Sequence, residues 1–361
     1  GQPRYALDTE FHRERTYFPK LALLQIADAD EIVLIDPLAC DLSPLKRLFE
    51  SDVLAVLHAA QQDLDVLTHA VGAVPRRLYD TQLAAGFIGY STPSLVSLLQ
   101  AELKVTMGKG DRLTDWLRRP LSAEQCDYAA SDVAHLFQLQ DAIDVQLAAD
   151  GRTEWAKAAC DELLLKPVSG VDPSMAWTRL KDVRVLKAKA RGVAQAVAEW
   201  RERRAMAIDS PVRQVLPDLA VLGIAQKQPR TIADLAQARG IDERHTRGAI
   251  GKELIAAVEK GLASEASLPP AEGEELERNL RPAVSLVSAW VSEVARKQRI
   301  DTTLLATRND LVSFLRGDES SRLAHGWRNE FLGDGIRRLV EGRAALTFDG
   351  RGGLNLIDVP S

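Results

Sequence analysis

The chain has 361 residues, 46% of them apolar and 27% charged, with a net charge of −5. That length exceeds one ordinary domain and suggests two or three, with ample apolar material for packed cores. No apolar run approaches the roughly 20 residues of a membrane helix, the start does not read as a signal peptide, and Cys40, Cys126 and Cys160 lack CxxC spacing. The expectation is a cytoplasmic protein with no membrane partner, its thiols buried or incidental in a reducing compartment. The acidic balance does not by itself suggest a nucleic-acid partner, although a whole-chain charge averages over basic and acidic regions.

The first 150 residues alternate strands and helices. Residues 5–11 predict a first strand. Residues 21–27 and 31–36 follow with only three residues between them, the spacing of a hairpin, so the first three strands form an antiparallel meander. Ser43-Pro44 opens a helix, with Ser as cap and Pro at the first helical position. Residues 54–59 form a short buried strand leading into a helix that ends near Gly72. Helical patterns dominate from Thr81, and one long helix runs from Ser122 to about Leu147, opened by the capping pattern of Ser122 and Gln125. The expected fold class is α/β, a mixed sheet with flanking helices, an arrangement that resembles the ribonuclease H-like type.

After about Pro167 the pattern is helical only, in two units with a weak internal similarity. Trp200, Asp209 and Leu219 in the first correspond to Trp290, Asp301 and Leu311 in the second, and Asp209–Leu219 and Asp301–Leu311 are both ten residues apart. A linker over about 264–273, rich in Ala, Glu, Ser and Pro, separates them. Helical bundles of this size serve as binding or positioning modules.

Three acidic clusters carry the chemistry: Asp8 with Glu10, Asp63 following His58, and Tyr128 with Asp132. Two residues apart on a strand, Asp8 and Glu10 share a face, with Leu7, Thr9 and Phe11 directed to the other. Tyr128 and Asp132, four apart on a helix, also share a face. Asp63 stands near the start of a helix. If the first strand is central, these places converge at one edge of the sheet. Oxygen-rich sites hold hard divalent cations, and two Mg²⁺ or Mn²⁺ ions suit phosphodiester hydrolysis. The set lacks the His and Cys that zinc favours. Each cluster alone has an ordinary structural explanation: a solvated face for Asp8 and Glu10, a helix cap for Asp63, a surface acid for Asp132, a core aromatic for Tyr128. His58, in an apolar run, reads as a satisfied core histidine. Order and spacing together raise the joint reading above these.

Those residues resemble the ribonuclease D family, in the tyrosine-containing branch of the DEDD 3′–5′ exonuclease superfamily. The first motif is Leu7-Asp8-Thr9-Glu10-Phe11, continuing through Arg15 and Tyr17 to Leu24-Gln25. The second is His58 to Leu64. The third comprises Asp115-Trp116, Arg119-Pro120-Leu121, Gln125, and Tyr128 to Val133. Leu78 to Thr81 is also typical. The resemblance implies metal ligands at Asp8, Glu10, Asp63 and Asp132, a water-orienting tyrosine at Tyr128, and two divalent ions as cofactors. It extends through Trp177, Trp200, Asp209 and residues 215–218, which look like the helical domain shared by RecQ-type helicases and ribonuclease D (HRDC). A second, more divergent copy ends in Gly326-Trp327 and Gly333, with a terminal strand pair around 350–353. The implied division is an exonuclease domain over 1–166, a first HRDC domain over 167–263, and a second HRDC-like domain over 274–361.

Charge adds a nucleic-acid reading. Residues 177–204 hold nine basic side chains against Asp182, Glu199 and Glu202, and such a stripe would contact phosphates. Lys104, Lys109 and Arg112 stand in a Gly-containing loop before the third motif. The leading expectation is a monomeric 3′–5′ exoribonuclease releasing nucleoside 5′-monophosphates from RNA 3′ ends, such as those of tRNA precursors. The alternatives are a DNA 3′–5′ exonuclease on the same scaffold and a non-catalytic RNA-binding protein. All five catalytic candidates fall before residue 167, so the chemistry is expected to be self-contained there.

Overall fold

The computed structural model describes residues 3–108, 114–165, 172–264, 266 and 280–360. Five strands form one mixed sheet: β1 (Arg4–His12), β2 (Lys20–Ala27), β3 (Ile32–Ile35), β4 (Leu54–Leu57) and β5 (Leu78–Asp80), in the order β3-β2-β1-β4-β5. The meander β1–β2–β3 is antiparallel, and β4 and β5 run parallel to β1. β1 is therefore central, as the site requires. Its pairing with β4 covers only Arg4 to Ala6, so residues 7–12 project beyond the end of the parallel strands. Ligands of open α/β sheets bind outside that end.

The two faces of the sheet follow the strand period. Tyr5 and Leu7 pack with Phe49 of α1 (Leu45–Phe49), with Leu64 and Leu67 of α2 (Gln61–Ala70), and with Leu163. Ala6 packs on the opposite face with Val133 of α5 (Ala123–Ala134) and Leu136 of α6 (Leu136–Ala149). Between these helices lie α3 (Thr81–Ala85) and α4 (Leu95–Glu102), and α7 (Thr153–Leu164) follows α6.

Two local expectations change, and one strand is added. The helix after Ser43 has five residues and no side-chain cap, because Ser43 Oγ donates to Asp41 instead. The long helix from Ser122 is two helices, parted at His135 with φ −118° and ψ 7°. No Gly or Pro marks that break. The bend lets α5 follow the meander while α6 lies on β4, α3 and α4. Residues 78–80 form strand β5, too short for a periodic signal. The capping box at Ser122 and Gln125 is formed as expected.

The remaining helices are α8 (Ala188–Ala207), α9 (Val212–Val215), α10 (Asp218–Lys227), α11 (Ile232–Ala236), α12 (Glu243–Thr246), α13 (Gly248–Leu262), α14 (Arg281–Gln298), α15 (Thr302–Leu305), α16 (Arg308–Leu315), α17 (Gly326–Arg328) and α18 (Asp334–Val340). Helices α8–α13 and Trp177 enclose their own core around Val193, Val197, Val221 and Leu254. A Cβ on Gly192 would stand 2.4 Å from the Gly261 carbonyl oxygen, so only glycine allows α8 and α13 to meet backbone to backbone.

Helices α14–α18 do not keep a core to themselves. Val287, Leu305, Leu323 and Ile336 pack into one cluster with Ala84, Phe87, Leu98 and Leu139 of the α/β region. Trp155 stacks on Trp327 with ring centres 4.6 Å apart, Arg328 pairs with Glu162, and Arg152 donates to the carbonyls of Phe87 and Gln298. The chain closes with a hairpin of β6 (Ala344–Phe348) and β7 (Leu354–Asp358), around the glycines that suggested a strand pair.

Candidate active site

The projecting end of β1 builds the site. Asp8 and Glu10 have the parity of Ala6, so they emerge on the face that α5 covers, and α5 supplies Tyr128 and Asp132. Carboxylate oxygens of Asp8, Glu10 and Asp132 lie within 4.8 Å of one another. The β1–β2 register shifts between Glu10 and Phe11, opposite Ala22. Such a bulge re-aims nearby side chains. Arg119 Nη2 donates to the Ala22 carbonyl at 2.7 Å, while its Nε and Nη2 bind the Asp36 carboxylate at 2.6 and 2.8 Å. That clamp fixes the segment leading into α5 against the meander.

Asp63 stands apart from the tight triple. It belongs to α2, on the other face, and is 6% exposed. Thr9, of opposite parity to Asp8 and Glu10, donates from Oγ1 to Asp63 Oδ1 at 2.5 Å. Asp63 still raises the pKa of both Asp8 and Glu10 by charge repulsion, so it lies near the group.

The electrostatics are those of an anionic cluster. Burial first, then repulsion from Asp63, Asp132 and Glu10, lifts Asp8 well above the usual carboxylate range. Glu10 is pushed up to about 8 by burial and by Asp132 and Asp63. Asp132 is raised to about 7 by burial, offset in part by a hydrogen bond with Tyr128, and burial raises Asp63 to about 7 against the Thr9 bond. Tyr128 rises to about 12 through burial and the surrounding acids, so its hydroxyl stays protonated. Trp116 lies beside the Tyr128 ring, with centres 6.1 Å apart. Glu10, Arg13, Arg15, Gln62, Trp116 and Tyr128 line an open cleft of about 610 Å³.

His58 is a satisfied histidine: its ring nitrogens meet Thr81 Oγ1 at 2.9 Å and the Pro93 carbonyl at 3.1 Å. Two residues of the quoted motifs, Asp80 and Gln25, take on roles that only the three-dimensional structure gives. Asp80 accepts from the backbone N–H groups of Ala59, Ala60, Gln82 and Leu83, which sets the start of α2 and caps α3. Gln25 faces Asp8 across the β1–β2 ladder and is fully buried.

The basic stripe divides. Arg201 is 4% exposed and bonded to Asp218 and the Leu216 carbonyl, while Arg203 and Arg204 pair with Glu199 and Glu253. Arg179, Lys181, Arg184, Lys187 and Lys189, before and at the start of α8, are exposed and lie outside those pairs. Lys104 is on the surface, and Lys109 and Arg112 lie outside the described residues.

A mixed sheet whose central strand projects two acids toward a tyrosine and an acid on a helix defines a 3′–5′ exonuclease domain, and the 3′–5′ exonuclease family matches residues 2–148. The HRDC domain family matches residues 190–258. The chain is 38% identical to a ribonuclease D of Jannaschia sp., over 97% of this chain and 93% of that one, and 35% identical to a ribonuclease D of Nitrobacter hamburgensis, over 96% and 92%. Among solved structures, Escherichia coli RNase D, described as an exoribonuclease involved in structured RNA processing, superposes with a TM-score of 0.83 at 30% identity and covers 94% of each chain. The chain belongs to the ribonuclease D family, and its activity is that of a 3′–5′ exoribonuclease.

Proposed function

We propose that Asp8, Glu10, Asp63 and Asp132 are the metal ligands, that two divalent ions, Mg²⁺ or Mn²⁺, are their cofactors, and that Tyr128 orients the attacking water. The observation carrying this is the convergence of three carboxylates within 4.8 Å, in a place where burial raises all three pKa values and repulsion adds to it at Asp8 and Glu10. Such a cluster is unfavourable when ionised and becomes favourable around hard cations, which fits an all-oxygen donor set. When bound, paired ions lower the pKa of water and neutralise charge on the leaving oxygen. Tyr128, held protonated and bonded to Asp132, offers a fixed hydroxyl rather than a base. Arg13 and Arg15 on the cleft wall are suited to phosphate oxygens of the strand.

We further propose structured RNA 3′ ends, tRNA precursors among them, as substrates of a cytoplasmic monomer. The described relative from Escherichia coli and the exposed basic segment 179–189 support this. Domain limits at 1–166, 167–263 and 274–361 follow, with the last taken as a divergent second HRDC-like unit. Its support is the matching order of α8, Asp209 and α10 with α14, Asp301 and α16. The test is an RNA and a DNA oligomer of one sequence, each with Mg²⁺ and with EDTA. RNA should yield nucleoside 5′-monophosphates in Mg²⁺ alone. Equal degradation of the DNA would favour the DNA exonuclease reading.

A further inference from the structure

The loop joining β1 to β2 lacks regular structure, and its ends do two jobs. Arg13, Glu14 and Arg15 line the catalytic cleft beside Glu10. Tyr17 and Phe18 reach the first helical domain. Asp209, just past α8, accepts both the Tyr17 and the Phe18 backbone N–H on Oδ1, each at 3.0 Å. The Tyr17 hydroxyl donates to Glu202 of α8 at 2.6 Å, and Glu202 is only 5% exposed. Phe18 in turn packs on the His69 ring, centres 4.4 Å apart, at the far end of the helix that carries Asp63. His69 lies 3.6 Å from Asp65, whose carboxylate also pairs with Arg13 of the cleft wall.

Asp209 has a φ of +45°, a left-handed position that Gly, Asn and Asp enter most readily. Among these its negative charge is the least suited, because it opposes the negative end of the α8 dipole. Local structure does not favour aspartate over Gly or Asn, whereas the two N–H groups of the catalytic loop do. Glu202 repeats the pattern, as a buried carboxylate whose hydrogen bond comes from the other domain.

We propose that Asp209 and Glu202 form a clasp through which the first helical domain positions the β1–β2 loop, and with it the cleft wall and the outer end of α2. They are positioning residues and touch no reacting atom. The inference rests on the exonuclease reading of the cleft. It also departs from the expectation that residues before 167 are self-contained for chemistry, because a loop of the cleft is tied to a domain beyond it.

The test uses the full chain and a 5′-labelled oligoadenylate tetramer in Mg²⁺, too short to span the helical domain. Asp209→Gly removes the acceptor and relieves the left-handed strain, so the helical domain keeps its fold, checked by circular dichroism. Asp209→Asn keeps an acceptor oxygen and tolerates the same backbone. The clasp predicts kcat lowered about tenfold in Asp209→Gly with KM within about twofold, and near-normal kcat in Asp209→Asn. Tyr17→Phe and Glu202→Ala remove the donor and the acceptor of one bond, so the double variant should be no slower than the slower single. Hydrogen exchange should find the Tyr17 and Phe18 amides protected in the wild type and in Asp209→Asn, and open in Asp209→Gly. Unchanged kcat in Asp209→Gly, or unprotected amides in the wild type, overturns the clasp. Failure of the wild type to degrade the tetramer would instead count against the exonuclease site and leave the amide result standing.

Discussion

Asp80 accepts the Ala60 backbone N–H at 2.9 Å and so sets where α2 begins, three residues ahead of Asp63. The same carboxylate takes the N–H groups of Ala59, Gln82 and Leu83. Ala59 has a left-handed φ of 59°, which this bond helps to hold. Asp80→Ala strands buried donors and should cost about 3 kcal/mol of stability, with the α2 amides exchanging faster. A urea midpoint equal to that of the wild type would mean that water or a local shift replaces the carboxylate.

The raised carboxylates make stability depend on pH. A carboxyl group whose folded pKa lies above its unfolded value binds more protons when folded, so it favours the fold at low pH and loses that contribution as pH rises through the folded value. With Asp63 and Asp132 at about 7 and Glu10 at about 8, the metal-free protein should lose stability from about pH 4 to about pH 8. Mg²⁺ or Mn²⁺ should restore it, binding more tightly as pH rises and releasing protons. Calorimetry at pH 6.5 in buffers of different ionisation enthalpy reads that release. No proton release there would show the carboxylates already ionised.

Tyr128→Phe removes the hydroxyl and keeps the ring beside Trp116. Turnover should fall about a hundredfold while metal affinity and RNA binding hold. Weakened metal binding with normal turnover at saturating metal would assign the hydroxyl to the metal site.

The two parts of the basic stripe should respond differently. Replacing Arg179, Lys181 and Lys187 together with Gln should flatten the slope of log affinity against log salt on single-stranded RNA by up to about 2, at about 0.7 per contact. Arg201→Gln should leave the slope alone and destabilise the helical domain by about 2 kcal/mol, since it removes the bonds of a buried guanidinium to half-exposed Asp218 and to the Leu216 carbonyl. An unchanged slope in the triple variant would make the exposed segment a solvated face.

Much of the site was legible because strand and helix periods are short-range. Asp8 with Glu10, and Tyr128 with Asp132, needed only spacings of two and four, whereas a central β1 was a condition that the sheet order supplies. The same parity sends Thr9 away from Asp8 correctly, and on that other face it meets Asp63, a contact between distant residues that spacing does not show. The rest depends on contacts between distant residues. The break at His135 answers to what α5 and α6 pack against, and β5 is three residues held by a neighbour. Asp209 lies 192 positions from Tyr17, and the C-terminal helices enter a core begun before residue 100. Count alone could not divide the basic stripe either, because Arg201 is spent inside the fold.

The most direct measurement follows a 5′-labelled, 3′-extended RNA on a sequencing gel with wild type and Asp8→Asn, in Mg²⁺ and in EDTA. The account predicts a ladder shortening one nucleotide at a time from the 3′ end for wild type in Mg²⁺. It also predicts none in EDTA, and a rate about a thousandfold lower for Asp8→Asn, from about 4 kcal/mol of lost transition-state stabilisation. Metal-independent cleavage, internal cuts in place of the ladder, or an Asp8→Asn rate within tenfold of wild type would contradict it.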